Sequence, residues 1–139
     1  VATHSCFGSH VTNIVEVSME GGRVRVHKVL CVVDCGPVVH PDGLKAQIEG
    51  GTVLALSTLL REEITIKNGR VQQSNFDNYP PLRLDEMPEV EVVAIDSEDS
   101  IGGIGEPGFP AVGPAVLNAV FNLTGKRARK LPLAGNFTG

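Results

Sequence analysis

The chain lacks the features that most nucleic-acid partners require. It contains no tryptophan, one tyrosine and five phenylalanines, and its twelve lysines and arginines face sixteen aspartates and glutamates. Nucleic-acid recognition depends on a basic surface and on aromatic platforms for bases, so we expect no nucleic-acid partner. The basic cluster at residues 126–130 follows a predicted helix end, where cations complement the helix dipole.

Long apolar runs and cysteines are also scarce. No stretch approaches the roughly 18 uninterrupted apolar residues of a membrane span, so we expect none. Cys6, Cys31 and Cys35 lack a C-x-x-C spacing, which argues against a disulfide framework and favours reduced, partly buried thiols. Cys31 and Cys35 are predicted to share one face of a strand near His40. Because no second pair of ligands exists, we favour packing over a metal site.

The size of the chain limits it to one core. A length of 139 residues and a hydrophobic content of 42% suffice for one compact domain and not for two. The chain begins at Val1 rather than at methionine. We therefore expect residues 1–139 to be a single domain, or a fragment or processed portion of a longer one.

Acidic residues are absent after Glu106, and this glutamate lies in the unusual loop Ile101-Gly-Gly-Ile-Gly-Glu-Pro-Gly-Phe-Pro110. Glycine allows close approach of backbone to a bound group, and proline fixes the direction of the chain. A carboxylate held among apolar neighbours is poorly hydrated and becomes a good proton acceptor near neutral pH. The loop thus predicts a general base at Glu106. A turn whose glutamate points into water is the alternative that the residues leave open.

The same loop contains a G-x-G-x-x-G pattern at Gly103, Gly105 and Gly108. A dinucleotide-binding fold requires this pattern directly after a strand, with an acidic residue about 20 positions later. Here polar residues 96–100 separate it from the predicted strand, and no acidic residue follows Glu106. We therefore reject a nicotinamide-binding function.

The apolar periodicity predicts an α+β fold with a largely antiparallel sheet and two main helices. Asp42 is the predicted cap of the first helix, and Gly125 is predicted to follow the second. An irregular, proline-bearing loop over residues 75–88 is expected to shape a cleft entrance. The predicted elements are a hairpin over 11–33, a helix over 44–60, a hairpin over 64–71, a strand over 89–95 and a helix over 112–123.

The first predicted helix contains Gly50-Gly51 in its interior, where each glycine costs about 1 kcal/mol relative to alanine. Helical spacing places Gln47 and Gly51 on one face, together with Leu44 and Leu54. An amide beside bare backbone suits a bound ligand. Tight packing of the helix, with Gln47 bonded to a backbone group, is the alternative.

Three stretches in this order carry a family resemblance: Val33-Asp-Cys-Gly36 leading to Gln47-Ile-Glu-Gly-Gly51, then Ile64-Thr-Ile-Lys-Asn-Gly-Arg-Val71, then Gly103-Ile-Gly-Glu-Pro107. They resemble the C-terminal part of the molybdopterin-binding large subunit of the xanthine dehydrogenase and aldehyde oxidase family, in particular its isoquinoline 1-oxidoreductase branch. The resemblance implies a molybdenum hydroxylase that oxidises an N-heteroaromatic or aldehyde substrate with water as the oxygen source. By motif, Glu106 is the implied base, Gln47 the implied pterin ligand, and Gly50, Gly51 and Gly105 the implied cofactor wall.

The resemblance also implies groups outside this chain. The cofactor is molybdopterin with molybdenum, in the cytosine dinucleotide form in bacterial relatives. Iron–sulfur clusters belong to a partner subunit, and the three cysteines here lack cluster spacing. The upstream remainder of the molybdenum subunit would complete the site, so this fragment alone is expected to be inactive. The substrate and the compartment, cytoplasm or periplasm, stay open.

Two other functions remain as hypotheses. A non-catalytic binding or assembly module would keep the fold without the reaction. An independent hydrolase would pair Glu106 with Asp85 or Glu86 as a second acid, and would need the two groups within several ångströms of each other.

Overall fold

The computed structural model describes residues 1–133. Their mixed content of helices and a mostly antiparallel sheet confirms the α+β class. In chain order the elements are β1 (Ala2–Cys6), β2 (Ser9–Glu20), β3 (Arg23–Asp34), α1 (Pro41–Leu60), β4 (Ile66–Lys67), β5 (Arg70–Val71), β6 (Glu89–Ala94) and α2 (Val112–Thr124). A 3₁₀ turn at Leu84–Glu86 precedes β6. Within the described residues, neither α-helix has the length and hydropathy needed to cross a bilayer.

The main sheet has four strands in the order β1-β2-β3-β6. The predicted long hairpin is confirmed, since β2 and β3 pair antiparallel from Glu20–Arg23 at its closed end to His10–Asp34. β1 pairs antiparallel with β2, whereas β6 pairs parallel with β3. A parallel neighbour requires a crossover connection, and α1 is part of that connection. The carboxyl ends of β3 and β6 therefore lie at the same edge of the sheet.

Tight turns with left-handed backbone close the three antiparallel pairs. Both central residues have positive φ at Phe7-Gly8, at Gly21-Gly22 and at Asn68-Gly69. Turns of this kind match the right-handed twist of the strands they join. The Asn-Gly turn confirms the predicted second hairpin, whose strands β4 and β5 have only two residues each.

The helix ends follow local chemistry. α1 begins at Pro41, and its cap is His40, whose Nδ1 accepts a hydrogen bond from the amide of Gly43 at 2.8 Å. The prediction of Asp42 as the cap was wrong, because that carboxylate lies inside the first turn, where it still complements the helix dipole. Gly125 ends α2 as predicted, with φ 70° and its amide bonded to the Phe121 carbonyl at 2.7 Å.

The basic residues after α2 fold back on the helix. The Arg127 guanidinium lies 3.8 Å from the centre of the Phe121 ring, and its Nη1 donates to Asn118 Oδ1 at 3.3 Å. Stacking of this kind is an ordinary cation–π contact on a helix surface. Arg127 therefore packs on the surface of α2, and the helix-dipole role of the cluster at residues 126–130 stays a prediction.

The core beneath the sheet divides into two apolar clusters. Val15, Val29 and Leu56 belong to one, while Val11 and Ile48 belong to the other. On β2, the polar residue Asn13 lies between Val11 and Val15, which belong to different clusters. On α1, Thr52 lies in the same way between Ile48 and Leu56. Both side chains are fully buried, and Asn13 Nδ2, Asn13 Oδ1 and Thr52 Oγ1 have no hydrogen-bond partner within residues 1–133. We call Asn13 and Thr52 the polar seam.

Candidate functional site

The glycine loop, residues 101–111, connects β6 to α2 and packs closely on α1. A Cβ added at Gly108 would meet Ile48 Cδ1 at 2.8 Å and Ile48 Cα at 3.4 Å, so any larger residue would force the Ile48 side chain to move. Pro107 is fully buried beside it. The loop is therefore seated on the first helix with little freedom, as its glycines and prolines predicted.

The polar residues that precede the glycine loop are tied to the end of β3. Ser97 Oγ donates to Asp34 Oδ1 at 2.6 Å, and the amide of Gly36 donates to the same oxygen at 3.3 Å. These two hydrogen bonds, with Ser97 the larger cause, lower the pKa of Asp34 from its ordinary value. At Gly36 an added Cβ would meet Ser100 O at 2.7 Å, so the two segments are in close backbone contact. The chain thus enters the glycine loop from a fixed point.

Gln47 joins α1 to the glycine loop at the residue before Glu106. Its Nε2 donates to the carbonyl oxygen of Gly105 at 2.6 Å. Because a carbonyl can only accept, the amide group that faces it must be the NH₂, which fixes the orientation of the side chain. The Oε1 acceptor and the second N–H of Gln47 are then turned away from Gly105. They can serve a ligand.

An open cleft of about 550 Å³ lies between α1 and the glycine loop. All five site residues predicted from the sequence line it, although Gln47 and Glu106 are 59 positions apart. The remaining lining is apolar. We call this the glycine cleft; its nine lining residues are Ala46, Gln47, Gly50, Gly51, Leu54, Gly105, Glu106, Phe109 and Pro110.

The glycines of α1 are not required by packing within the described residues. A Cβ at Gly50 or at Gly105 would meet nothing within 4 Å, and one at Gly51 would lie 3.8 Å from the backbone of Gly108 and Phe109. The last distance is an ordinary van der Waals contact. Tight packing of the Gly50-Gly51 pair is therefore not supported, whereas the other part of that alternative, a bond from Gln47 to a backbone group, is observed at the Gly105 carbonyl. Because these glycines have no side chains, they leave open space in the cleft.

Glu106 stands at the open side of the glycine cleft and is exposed within residues 1–133. The expectation of a poorly hydrated carboxylate is therefore not met by these residues alone. The physical reason is that the cleft has apolar walls, including Leu54 and Phe109, but no cover among the described residues. The position of Glu106 beside Gln47 and the bare glycines agrees with the sequence analysis, and its hydration does not.

A second cleft of about 360 Å³ adjoins the first and shares Gln47 and Gly105 with it. It lies at the start of α1 and is also lined by Leu44. Leu44 was expected on the same face as Gln47 and Leu54, but its side chain belongs to the buried core, whereas Leu54 is exposed. The Gln47–Gly105 hydrogen bond therefore lies between the two clefts.

The acidic residues near β6 do not approach Glu106. Glu86 forms an ion pair with Arg61 at the C-terminal end of α1 and lines a separate cleft there. Residues 47 and 61 of the helix are about 20 Å apart along its axis, since each residue rises 1.5 Å. Asp85 lies in the same 3₁₀ turn as Glu86. The hydrolase hypothesis is therefore wrong, and residues 75–88 do not shape the glycine cleft as expected.

The cysteines are packing residues. Cys31 and Cys35 lie in the apolar cluster under β3, and Cys35 follows the strand rather than lying on it. Burial raises the pKa of the Cys31 thiol to about 11 and also raises the pKa of Cys35, where the charge of Asp34 adds to the effect. Within residues 1–133, no group of three or more His, Cys, Asp or Glu side chains could hold a metal ion.

Comparison with known proteins agrees with this fold. Residues 2–88 match the family model described as a molybdopterin cofactor-binding domain. Isoquinoline 1-oxidoreductase subunit beta from Brevundimonas diminuta is 37% identical over 127 residues, which cover 90% of this chain and 16% of that protein. The membrane-bound aldehyde dehydrogenase [pyrroloquinoline-quinone] from Gluconacetobacter polyoxogenes is 42% identical over 119 residues, covering 86% and 15%.

Among solved structures, quinoline 2-oxidoreductase from Pseudomonas putida 86 superposes with a TM-score of 0.75 and 24% identity, covering 91% of this chain and 17% of that one. At this identity the likeness shows the fold alone. The matched family model spans more than half of the residues, and the chain therefore belongs to the molybdopterin cofactor-binding domain family. The resemblance inferred from the three motifs is confirmed. The chain spans less than a fifth of the length of these relatives.

Proposed function

We propose that this chain is part of the molybdenum-binding subunit of a molybdenum hydroxylase, in which Glu106 is the general base. The enzyme would oxidise an N-heteroaromatic or an aldehyde substrate with water as the oxygen source. The observation that carries the proposal is the glycine cleft, where an acidic side chain, an amide and bare backbone share one space. The relatives' names, an isoquinoline oxidoreductase and an aldehyde dehydrogenase, support both substrate classes.

The residues of the glycine cleft fit a molybdopterin. A pterin is a flat ring system with many donors and acceptors, so it needs unobstructed backbone and a polar side chain at its edge. A Cβ at Gly50 or Gly105 would project into free space, and Gln47 keeps an acceptor and a donor available. Gly51 continues the bare surface. The volume of the cleft lies within the roughly 300–1,000 Å³ of ordinary ligand sites.

When bound, the molybdenum cofactor supplies two-electron redox chemistry. Glu106 takes up the proton that the attacking oxygen loses, and a base in this role must lie within hydrogen-bond reach of that oxygen. Gln47 holds the carbonyl of the preceding residue, which fixes where the Glu106 side chain leaves the backbone. Cover from the rest of the subunit would exclude water from the cleft and strengthen the interaction of Glu106 with its proton donor.

The finer parts of the proposal concern groups beyond this chain. We take the cofactor to be the cytosine dinucleotide form of molybdopterin, and the electrons to leave through a partner subunit with iron–sulfur clusters. The upstream remainder of the molybdenum subunit would supply the other wall of the cleft. Coverage of only 16% of the isoquinoline relative supports the need for such a remainder.

The test is Glu106→Gln in the full-length subunit, assembled with its partner. Removal of a general base typically lowers turnover by about 10²–10⁴-fold. Molybdenum content per subunit, measured by mass spectrometry of the metal, should stay near the wild-type value. Glu98→Gln is the matched control, since Glu98 is an exposed glutamate in the segment before the glycine loop. Near-normal turnover of the Glu106→Gln enzyme would refute the assigned role.

The exposure of Glu106 within residues 1–133 favours one alternative, a non-catalytic binding or assembly module. Such a module would hold the cofactor through Gln47 without using the carboxylate. It predicts that Gln47→Ala lowers molybdenum content, that Glu106→Gln leaves molybdenum content unchanged, and that the wild-type assembly has no turnover for Glu106→Gln to lower. The same set of variants therefore separates the two functions.

A further inference from the structure

The turn between β1 and β2 contacts the glycine loop at Gly102 and Gly103, ahead of the residues that meet α1. Ser9 Oγ donates to the carbonyl of Gly103 at 2.7 Å, and the amide of Gly103 donates to the Phe7 carbonyl at 2.8 Å. Gly103 is thus held through both of its backbone polar groups. The amide of Gly102 also donates to the carbonyl of Cys35 at 2.9 Å.

This contact is built at close range and is partly shielded from water. Ser9 is fully buried, although it directly follows the exposed turn at Phe7-Gly8. A Cβ at Gly102 would meet the carbonyl oxygen of Gly8 at 2.5 Å, which no side chain could tolerate. Phe7 has φ 53°, a conformation that non-glycine residues adopt only where surrounding contacts impose it. The turn is therefore shaped to meet the loop.

Loss of the contact would leave a buried polar group without this partner. The Ser9 hydroxyl is removed from water, and leaving it unpaired is costlier than the hydrogen bond itself is favourable. The loop therefore has one preferred position against the turn. Gln47 holds the same loop two residues further along, at Gly105.

We infer that Ser9 is a positioning residue for Glu106, acting through Gly103 three residues earlier in the loop. This inference rests on the proposed function. Ser9 does not line the glycine cleft and acts only by fixing the backbone that carries the base. Loops that carry a catalytic group must hold it to within a fraction of an ångström, because a 1 Å misplacement can cost about 100-fold in rate.

The test uses Ser9→Ala in the full-length, cofactor-loaded subunit. The first readout is amide hydrogen exchange of residues 101–108, which includes the bonded amides of Gly102 and Gly103. We expect exchange about tenfold faster, the loss that one such hydrogen bond produces. We also expect kcat to fall about tenfold with KM and molybdenum content unchanged. Ser18→Ala is the matched control, because Ser18 lies at the far end of the same strand.

A second variant covers the case in which Ser9→Ala fails to fold. Gly102→Ala keeps the Ser9 hydroxyl in the sequence but drives a methyl against Ser9 Oγ and the carbonyl oxygen of Gly8, so it should loosen the same peptide. Gly113→Ala, whose Cβ meets only Leu59 Cδ1 at 3.8 Å, is its control. Unchanged exchange of residues 101–108 in either folded variant overturns the inference. Faster exchange with unchanged kcat also overturns it, while an inactive Glu106→Gln enzyme leaves the proposed function intact. Full turnover of Glu106→Gln refutes the proposed function independently of any exchange result.

Discussion

Alanine at Gly50 and Gly51 should make the chain more stable and its hold on the cofactor weaker. A glycine in a helix interior costs about 1 kcal/mol relative to alanine. A Cβ at Gly50 meets nothing within 4 Å, and one at Gly51 meets backbone at 3.8 Å, so no clash offsets the gain. The double variant should therefore gain about 2 kcal/mol in free energy of unfolding. At this chain length each kcal/mol corresponds to a rise in Tm of roughly 4 °C.

The predicted gain in free energy of unfolding is measured by urea unfolding of the 139-residue chain, followed by circular dichroism. Gly113→Ala in the first turn of α2 should stabilise by no more than about 1 kcal/mol, since its Cβ also has room. Gly108→Ala should instead destabilise by about 1–3 kcal/mol, because its Cβ would overlap Ile48. A loss of stability in Gly50→Ala would contradict the free space that the structure assigns to that position.

The predicted loss of cofactor binding is measured by the molybdenum content of the full-length subunit. Methyl groups at positions 50 and 51 would occupy the glycine cleft, so the double variant should retain less metal than the wild type. Gly113→Ala should retain the wild-type amount, because Gly113 does not line the cleft. Full metal content in a stabilised double variant would refute the assignment of these glycines to a cofactor wall.

Two further predictions concern the core. Thr52→Val should raise the free energy of unfolding by about 1 kcal/mol or more, because a buried hydroxyl without a partner is replaced by an isosteric methyl group. Thr58→Val, on the exposed face of the same helix, should not stabilise, and a Thr52→Val protein less stable than wild type would contradict the reasoning. At pH 8 iodoacetamide should label half-buried Cys6 before Cys31, whose pKa burial raises to about 11. Mass spectrometry of the labelled peptides checks this, and equal labelling rates in the native state would contradict it.

Local chemistry was enough to predict much of the fold. Gly-Gly and Asn-Gly pairs tolerate the left-handed backbone that tight hairpin turns need and most other residues avoid, so both hairpins could be placed correctly at Gly21-Gly22 and Asn68-Gly69. The end of α2 followed from Gly125 for the same reason. The five residues of the candidate site were found because motifs at 47–51 and 103–107 share glycines with no obvious local use. In the structure, Gly50, Gly51 and Gly105 line the same glycine cleft.

The features that were missed depend on distant partners. β1 carries no apolar alternation, and it exists as a strand because β2 offers it a free edge. The parallel pairing of β6 follows from where the chain returns to the sheet, which periodicity does not encode. The contact of Ser9 with Gly103 spans 94 positions, so no local pattern indicates it. His40 was overlooked as a cap because a ring nitrogen is an unusual acceptor at that position.

The length of α1 separates two parts of the molecule that can evolve independently. The excursion that leaves the helix at Arg61 and returns at Glu89 is anchored at the end remote from Gln47, through the ion pair between Arg61 and Glu86. Substitutions or length changes there do not reach the glycine cleft. Lineages within the family could therefore change this excursion without altering the geometry of the glycine cleft.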